Sequence, residues 1–321
     1  MKKIAVLADY LEPSHHALID STAARCGFAV DYYPDGRVPA ELAGTYEVVH
    51  GMPKPGDLKT FTGMKWFCGS FAGVDAYLDD ALYPSPEVML SNSSGAYGVT
   101  IAEHLIMVTL MLLRHADTYL HHADAHRWGP VMPMRSIIGS TITVLGTGDI
   151  GTEFARRAKA MGAKEIRGVR RTKKAADPAF DGVYTHAELD SLLPDTDILV
   201  MALPSTADTV GILSRNRIAL LPETAYVVNV GRGTAIDQSA LVEALNAGKL
   251  AGAALDVFEK EPIPAGDPVW DAKNLLITPH ISGQMSLGYT RDKNVALFCE
   301  DLENYAAGRP LKRYVDRKIG Y

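Results

Sequence analysis

Short apolar runs alternate with helically spaced segments along the first ninety residues. The apolar runs lie at 4–8, 29–33, 47–50, 66–68 and 88–90. Between the first two, residues 14–26 have the spacing of a helix, with Pro13 and Ser14 as its start signal. Strands that alternate with helices in this way form parallel βαβ units. The pattern predicts a small doubly wound sheet.

The same alternation restarts at Ser140, after one long helix that the spacing predicts from 99 to 122. We predict strands at 141–145, 166–169, 198–203, 226–230, 253–257 and 274–277. A helix is predicted at 149–161, and Asp237 caps another that Gly248 ends. The last helical segment, 284–307, is predicted to return to the first domain, because the second sheet already has its complement of strands and helices. The prediction is an α/β protein of two doubly wound parallel-sheet domains, one formed by 1–97 with 284–321 and the other by 98–283.

Composition narrows the function class. The chain has 321 residues, 47% hydrophobic and 22% charged, with a formal net charge of −6. This acidic balance argues against a general binder of nucleic acid or anionic membranes. The most apolar stretch, 99–113, carries Glu103 and His104, which is typical of a buried helix rather than a membrane span. Three cysteines without a CxxC pair favour reduced thiols in a cytoplasmic protein. No metal site is predicted, because the histidines within 121–126 lack the ligand spacing of a known motif.

A glycine-rich turn follows the strand predicted at 141–145. It reads Gly146-x-Gly148-x-x-Gly151 and opens a predicted helix. The first glycine allows a tight turn, the second lets the backbone approach a pyrophosphate, and the third lets helix and strand pack closely. Glycines also occur in plain turns, but the strand–turn–helix context favours dinucleotide binding.

The end of the next strand bears on which dinucleotide binds. An acidic residue that accepts the ribose hydroxyls of NAD is usual there. Residues 167–174 contain no acid, and Arg170 and Arg171 could instead hold a 2′-phosphate through forked, charge-assisted hydrogen bonds. A solvated basic loop is the plainer interpretation. The missing acid favours NADP, with NAD possible.

Three ionisable residues each follow an apolar strand of the predicted second domain. Arg232 lies in Gly231-Arg-Gly233, Glu261 follows the strand at 253–257, and His280 follows the last strand. Each alone is more easily explained as a surface or structural residue. Together they should converge, because the carboxyl ends of parallel strands lie at one edge of the sheet. Reduction of a 2-keto acid can use these three groups: a guanidinium that donates two hydrogen bonds to a carboxylate, an acid, and an imidazole that transfers a proton.

The chain resembles the D-isomer-specific 2-hydroxyacid dehydrogenases over nearly its whole length. The resemblance rests on the glycine turn and the three strand-end residues, together with Ala72-Gly-Val-Asp75, Ala102-Glu-His104, Leu203-Pro-Ser-Thr-Ala-Asp-Thr209, Asn229-Val-Gly-Arg-Gly233, Leu255-Asp-Val-Phe-Glu-Lys-Glu-Pro262 and Gly308-Arg-Pro-Leu311. It implies a Rossmann nucleotide-binding domain inserted in a flavodoxin-like substrate domain, and a homodimer. The segment 262–270 is closer to the glyoxylate/hydroxypyruvate reductases of that family.

The resemblance also implies a role for each matching residue. His280 would be the general acid/base, Glu261 its partner, and Arg232 the anchor of the substrate carboxylate and keto oxygen. Backbone N–H groups near Ala72 and Gly73 would cradle the carboxylate. The resemblance implies that Asp149, Ile150, Val230, Asp256 and Gly283 contact the cofactor. We also predict cofactor contacts by the three glycines of the turn, Arg170, Arg171, Leu203, Pro204, Gly231, Arg232 and His280.

These features predict a reductase of small 2-keto acids, with glyoxylate or hydroxypyruvate as the favoured substrate. Oxidation of D-3-phosphoglycerate is an alternative within the same class, although residues 2–65 show no obvious cluster of cations for a phosphate. A non-enzymatic dinucleotide sensor, like the corepressor relatives of the family, is an alternative of another class, since those relatives can keep the same three residues.

Overall fold

The computed structural model describes residues 1–173 and 177–321. These residues divide into two compact units, 1–97 with 284–321, and 98–283. Each unit is built on a sheet in which every strand pairing is parallel. The predicted α/β class with two parallel sheets is confirmed.

The sheet of the first unit has five strands in the order β2-β1-β3-β4-β5. This is the strand order of flavodoxin-like folds. The strands are β1 (Lys2–Leu7), β2 (Phe28–Tyr32), β3 (Val48–Gly51), β4 (Trp66–Gly69) and β5 (Met89–Ser91).

Helices cover both faces of this first sheet. The unit contains α1 (Pro13–Arg25), the short α2 (Ala40–Ala43) and α9 (Gly288–Ala306). Successive residues of a strand point to opposite faces. Ile4 and Val6 accordingly pack in a core with Ile19 of α1 and Phe298 of α9, whereas Ala5 and Leu7 belong to a second core on the other face.

The sheet of the second unit has seven strands in the order β12-β11-β10-β9-β6-β7-β8. This is the Rossmann order with one strand added at an edge, and the order reverses between β6 and β9. The strands are β6 (Thr141–Leu145), β7 (Glu165–Arg170), β8 (Gly182–Thr185), β9 (Ile198–Met201), β10 (Tyr226–Asn229), β11 (Gly252–Leu255) and β12 (Leu275–Ile277). Ligands of such sheets bind at the carboxyl ends of the strands where the order reverses.

Sequence reasoning did not find β8. It is a four-residue strand at the edge of the sheet, and all four residues are only half-buried. A short strand of this kind lacks the continuous apolar run by which the buried strands were predicted.

The helices of the second unit include two short ones that were not predicted, and one predicted helix is divided in two. They are α3 (Gly98–Leu113), α4 (Ala116–Asp124), α5 (Asp149–Ala160), α6 (Leu189–Leu192), α7 (Arg215–Ile218) and α8 (Gln238–Asn246). The predicted cap of α8 is confirmed, because the Asp237 carboxylate accepts the N–H of Ala240. The single helix predicted from 99 to 122 is wrong, since α3 and α4 meet at a bend of 66°.

Contacts from later in the chain explain this break. His115 adopts a left-handed backbone with φ of 55°. The Leu113 carbonyl accepts the N–H of Arg135 at 3.0 Å, and His115 Nε2 lies 2.8 Å from the Pro133 carbonyl. The segment around Pro133 therefore takes the place of a continued helix. Within residues 1–173 and 177–321, no single helix is long and apolar enough to cross a membrane, although the bent pair of α3 and α4 has the necessary length and composition.

Candidate active site

The glycine turn between β6 and α5 has a separate steric reason for each of its first and third glycines. Gly146 has φ of 103°, and a Cβ there would lie 2.6 Å from the Ala202 carbonyl oxygen. A Cβ on Gly151 would lie 1.9 Å from the Gly146 carbonyl oxygen, so no side chain fits between helix and turn. At Gly148, the residue before α5, a Cβ would meet nothing within 4 Å. The turn therefore has no room for a side chain at Gly146 or Gly151 and is open at Gly148.

This geometry fits the pyrophosphate of a dinucleotide. The open position at Gly148 leaves the backbone approachable, and the first N–H groups of a helix such as α5 attract an anion. Beside it, Ile150 is half-buried, and the Asp149 carboxylate lies against Gly98, where a Cβ would come within 2.4 Å of it.

The carboxyl end of β7 is basic. Arg170 is half-buried and Arg171 is exposed, and no acid occurs between 166 and 174. Lys174 of this stretch lies outside the described residues. Arg167 plays a different part, because it forms ion pairs with Asp195 and Glu165 that raise its pKa. Arg170, Arg171 and Lys173 are described cations at the place where the usual ribose-binding acid is missing, and Lys173 pairs with Glu188.

The two glycines that flank Arg232 let its turn pack closely against the neighbouring turns. A Cβ on Gly231 would lie 2.6 Å from the Leu203 carbonyl oxygen, and one on Gly233 would lie 1.9 Å from the Phe258 carbonyl carbon. The turn after β10 therefore packs directly on the turns after β9 and β11. Arg232 itself is half-buried, and its Nη1 donates to the Gly231 carbonyl at 2.8 Å.

The buried Asn229 side chain fixes the same turn from within. Its Oδ1 accepts the N–H of Gly231 at 2.9 Å, and its Nδ2 donates to the Arg232 carbonyl at 2.9 Å. Sequence reasoning assigned no role to Asn229. The available signal was a polar residue at the end of a strand that is otherwise apolar, since a fully buried amide requires partners.

His280 and Glu261 are hydrogen-bonded to each other. His280 Nδ1 lies 2.6 Å from Glu261 Oε2, and Glu261 Oε1 accepts the N–H of Phe258 at 2.8 Å. Both oxygens of the carboxylate therefore have a partner, which fixes its orientation. About half of the His280 side chain is exposed and a third of that of Glu261.

The backbone of His280 is left-handed, with φ of 52°. Such a conformation costs roughly 1–3 kcal/mol for a residue other than glycine, so the surrounding structure must impose it. Asp256 does so. Its carbonyl accepts the N–H of His280 at 2.9 Å, and its carboxylate accepts the Thr278 hydroxyl at 2.6 Å and the N–H groups of Ile281 and Ser282 at 2.9 and 3.0 Å.

Asp256 was predicted to contact the cofactor. In the structure its side chain is 2% exposed and holds residues 278–282 in place. On the far side of Thr278, His104 Nε2 lies 3.4 Å from the threonine hydroxyl. Burial lowers the pKa of His104, and the nearby Asp256 opposes that shift. Sequence reasoning missed this bracing of the His280 loop, because it links residues that are far apart in the chain.

The structure brings the predicted residues of the second unit to one edge of its sheet. Strands β9, β10, β11 and β12 are consecutive neighbours and all parallel, so the turns that carry Leu203, Arg232, Glu261 and His280 lie side by side. The remaining predicted cofactor contacts lie at or next to these turns: Leu203 and Val230 are buried, Pro204 is exposed and Gly283 is half-buried. In the first unit, Ala72 and Gly73 follow β4, half-buried and exposed respectively.

A sequence model described as the NAD binding domain of D-isomer specific 2-hydroxyacid dehydrogenase matches residues 106–282, more than half of the chain. The chain belongs to this family. Its family membership makes it an NAD(P)-dependent oxidoreductase.

Relatives and solved structures agree with the family. The chain is 32% identical over 257 residues to glyoxylate/hydroxypyruvate reductase A of Klebsiella pneumoniae (strain 342), covering 78% of this chain and 80% of that protein. A D-isomer specific 2-hydroxyacid dehydrogenase from Xanthobacter autotrophicus Py2, in complex with NADPH and MES, has a TM-score of 0.82 at 28% identity, covering 100% and 99% of the two chains. An NADPH-dependent glyoxylate/hydroxypyruvate reductase from Sinorhizobium meliloti, in complex with NADP and sulfate, also has a TM-score of 0.82, at 27% identity with both chains fully covered.

Proposed function

We propose that this dehydrogenase reduces small 2-keto acids to D-2-hydroxy acids, with glyoxylate and hydroxypyruvate as its favoured substrates. The observation that supports it most is the hydrogen bond of His280 to Glu261 on the turn next to that of Arg232. The names of the relatives favour the same two substrates. A nicotinamide cofactor would supply the hydride that the carbonyl carbon accepts, and the carbonyl oxygen would take up one proton.

His280 is the proton donor in this proposal. Its Nδ1 faces the Glu261 carboxylate, so the proton that reaches the substrate oxygen comes from Nε2. Glu261 holds the ring in one orientation through this hydrogen bond. A positioned donor of this kind contributes about 10²- to 10⁴-fold to the rate.

Arg232 and the turn after β4 bind the substrate. The guanidinium of Arg232 binds the carboxylate and the keto oxygen, and its fixed charge stabilises the negative charge that develops on that oxygen. The backbone N–H groups of Ala72 and Gly73 hold the carboxylate. A 2-keto acid offers these two polar groups, a carboxylate and a keto oxygen.

We propose NADP(H) as the preferred cofactor. The end of β7 carries Arg170 and Arg171 where NAD-specific proteins of this fold place an acid. Guanidinium groups bind a 2′-phosphate through forked hydrogen bonds, whereas an acid would repel it. The relatives from Xanthobacter autotrophicus and Sinorhizobium meliloti were crystallised with NADPH and NADP. The homodimer and the cytoplasmic location stay predictions.

Steady-state rates test the proposed function. The purified protein is assayed with NADPH and with NADH against glyoxylate, hydroxypyruvate, pyruvate, a branched 2-keto acid and 3-phosphohydroxypyruvate. We expect the highest kcat/KM with NADPH and one of the first two acids. The highest value with 3-phosphohydroxypyruvate would instead identify a phosphoglycerate dehydrogenase. Tight cofactor binding with no turnover of any acid would contradict the proposal and favour a sensor.

A further inference from the structure

The turn after β4 is tied down by one later segment through four consecutive carbonyl groups. The carbonyl of Gly69 accepts the Ser93 hydroxyl at 2.9 Å, and that of Ser70 accepts the Tyr97 hydroxyl at 2.5 Å. The carbonyl of Phe71 accepts the backbone N–H of Ser93 at 2.9 Å. The carbonyl of Ala72 accepts Asn92 Nδ2 at 2.6 Å. All four donors lie within residues 92–97.

Because the peptide group is planar, these bonds to the carbonyls also fix the direction of the N–H groups on the opposite side of the turn. In a trans peptide the C=O of one residue and the N–H of the next lie in one plane and point in opposite directions. Fixing the carbonyls of Ser70, Phe71 and Ala72 therefore directs the N–H groups of Phe71, Ala72 and Gly73 away from the 92–97 segment. Within the described residues, these three N–H groups donate to no protein acceptor. Successive N–H groups of this kind form a concavity that binds anions.

A buried polar network fixes the donors themselves. Ser93 Oγ accepts Asn294 Nδ2 of α9 at 2.6 Å, and Asn294 Oδ1 lies 2.7 Å from the Tyr10 hydroxyl. That hydroxyl lies 2.8 Å from Ser70 Oγ, which closes the network on the turn. Ser93 and Asn294 are 2% and 0% exposed, and Tyr97 is 6% exposed. Buried and fully bonded groups cannot move to new partners at low cost.

We infer that Asn92, Ser93 and Tyr97 are positioning residues for the substrate carboxylate. They do not touch it; they hold the peptide planes whose N–H groups do. Through the Ala72 carbonyl, Asn92 fixes the direction of the Gly73 N–H. Through the Phe71 carbonyl, the Ser93 backbone fixes that of Ala72, and through the Ser70 carbonyl, Tyr97 fixes that of Phe71. This inference rests on the proposed function, in which Ala72 and Gly73 bind the carboxylate.

Two substitutions test it by removing a donor without adding charge. Asn92→Leu removes the bond to the Ala72 carbonyl, and Tyr97→Phe removes one hydroxyl from a buried ring. Tyr83→Phe is the matched control, because the buried Tyr83 donates its hydroxyl to the Tyr77 carbonyl at 2.7 Å in the same unit. For each protein we would measure kcat and KM for glyoxylate, the Kd of NADPH, the Kd of oxamate with NADPH bound, and the thermal midpoint. Oxamate is an unreactive mimic of a 2-keto acid, so its binding requires no turnover.

We expect Asn92→Leu to raise the glyoxylate KM and the oxamate Kd about tenfold, and Tyr97→Phe about threefold. The kcat and the Kd of NADPH should stay within about twofold, as expected when ground-state and transition-state binding are lost equally. Tyr83→Phe should behave like the wild type. A merely structural role would instead lower kcat, cofactor affinity and thermal midpoint together.

The outcomes separate this inference from the proposed function. If the wild type reduces glyoxylate and both folded variants keep its KM and oxamate Kd, positioning is overturned and the function stands. If the wild type turns over no keto acid but binds oxamate, and the variants lose that binding, the function falls and positioning holds. A wild type that does not bind oxamate overturns positioning. If Asn92→Leu does not fold, Tyr97→Phe alone decides, since it removes a single oxygen atom.

Discussion

His280 and Glu261 form a hydrogen bond of 2.6 Å between Nδ1 and Oε2, although their strands β12 and β11 are separated in sequence. The second carboxylate oxygen is held by the N–H of Phe258, and the left-handed backbone of His280 is held by Asp256. The imidazole is therefore fixed on both its ring and its backbone. A proton donor held in this way requires little reorganisation when the reaction occurs.

Replacing either partner should impair the reaction more than cofactor binding. For His280→Gln we expect kcat for keto-acid reduction to fall about 10²- to 10⁴-fold, because no group replaces the proton donor. For Glu261→Gln we expect a smaller fall of about tenfold or more, because an amide keeps one hydrogen-bonding oxygen but not the charge. Steady-state kinetics and NADPH titration by fluorescence measure both. Near wild-type reduction by His280→Gln would refute its assigned role.

Arg232→Lys should show that the forked guanidinium matters and not charge alone. Lysine keeps the charge but cannot donate two parallel hydrogen bonds to a carboxylate. We expect kcat/KM for glyoxylate to fall about 10- to 100-fold. Arg215→Lys is the control, since Arg215 pairs with Glu243 on the surface. If Arg232→Ala retained most of the wild-type kcat/KM, the carboxylate anchor would have to be sought elsewhere.

Replacement by alanine should affect stability at Gly151 and cofactor binding at Gly148. In Gly151→Ala the new carbon would lie 1.9 Å from the Gly146 carbonyl oxygen, so we expect the free energy of unfolding to fall by about 3 kcal/mol or more. In Gly148→Ala it would meet nothing within 4 Å, so we expect unchanged stability but about tenfold weaker cofactor binding. Chemical denaturation and cofactor titration measure the pair. Equal cofactor affinity in Gly148→Ala and the wild type would argue against a pyrophosphate at this turn.

The cations at the end of β7 should discriminate between the two nicotinamide cofactors. We expect Arg170→Ala or Arg171→Ala to raise the KM for NADPH about tenfold or more, because each would lose charge-assisted hydrogen bonds to the 2′-phosphate. The KM for NADH should change little, since that cofactor lacks the phosphate. Arg215→Ala is again the control. Equal effects on NADPH and NADH would show that the arginines do not read the 2′-phosphate.

The local sequence pattern was enough to predict the alternating buried strands and the start of α5. Apolar runs gave the buried strands of both sheets, and the turn at 146–151 gave the start of α5, because burial and tight turns leave marks in short stretches of sequence. The helix break at His115 and the edge strand β8 could not be predicted from a local sequence pattern. The helix break depends on contacts with the Pro133 segment, and β8 is a short, half-buried edge strand without a continuous apolar run.

The candidate site shows the same division. Arg232, Glu261 and His280 could be chosen from the sequence because each follows an apolar strand. The residues that hold this site in place could not be chosen from the sequence. They act through hydrogen bonds whose geometry no local pattern encodes: Asn229 within the Arg232 turn, Asp256 to the His280 loop, and Asn92 to the turn after β4.

The last prediction concerns stability and uses His50, to which no catalytic role is assigned above. His50 is 0% exposed, its Nδ1 lies 3.1 Å from the Cys68 carbonyl, and its ring stacks on Phe298 at 4.0 Å. Burial lowers the pKa of His50 from its ordinary 6.5 to about 4, and the bond to Cys68 only partly opposes this. The unfolded chain therefore binds a proton between these two pH values that the folded chain does not.

The sign follows from proton linkage. Because the unfolded state binds more protons below pH 6.5, the contribution of His50 is complete above that pH and is lost as pH falls toward 4. The loss at pH 4.5 is about 2–3 kcal/mol. Urea titrations at pH 7.5 and 4.5 should show that His50→Leu loses that much less stability on acidification than the wild type. His121→Gln, at an exposed position, should behave like the wild type. If acidification destabilised His50→Leu and the wild type equally, the buried imidazole would not be the group that titrates.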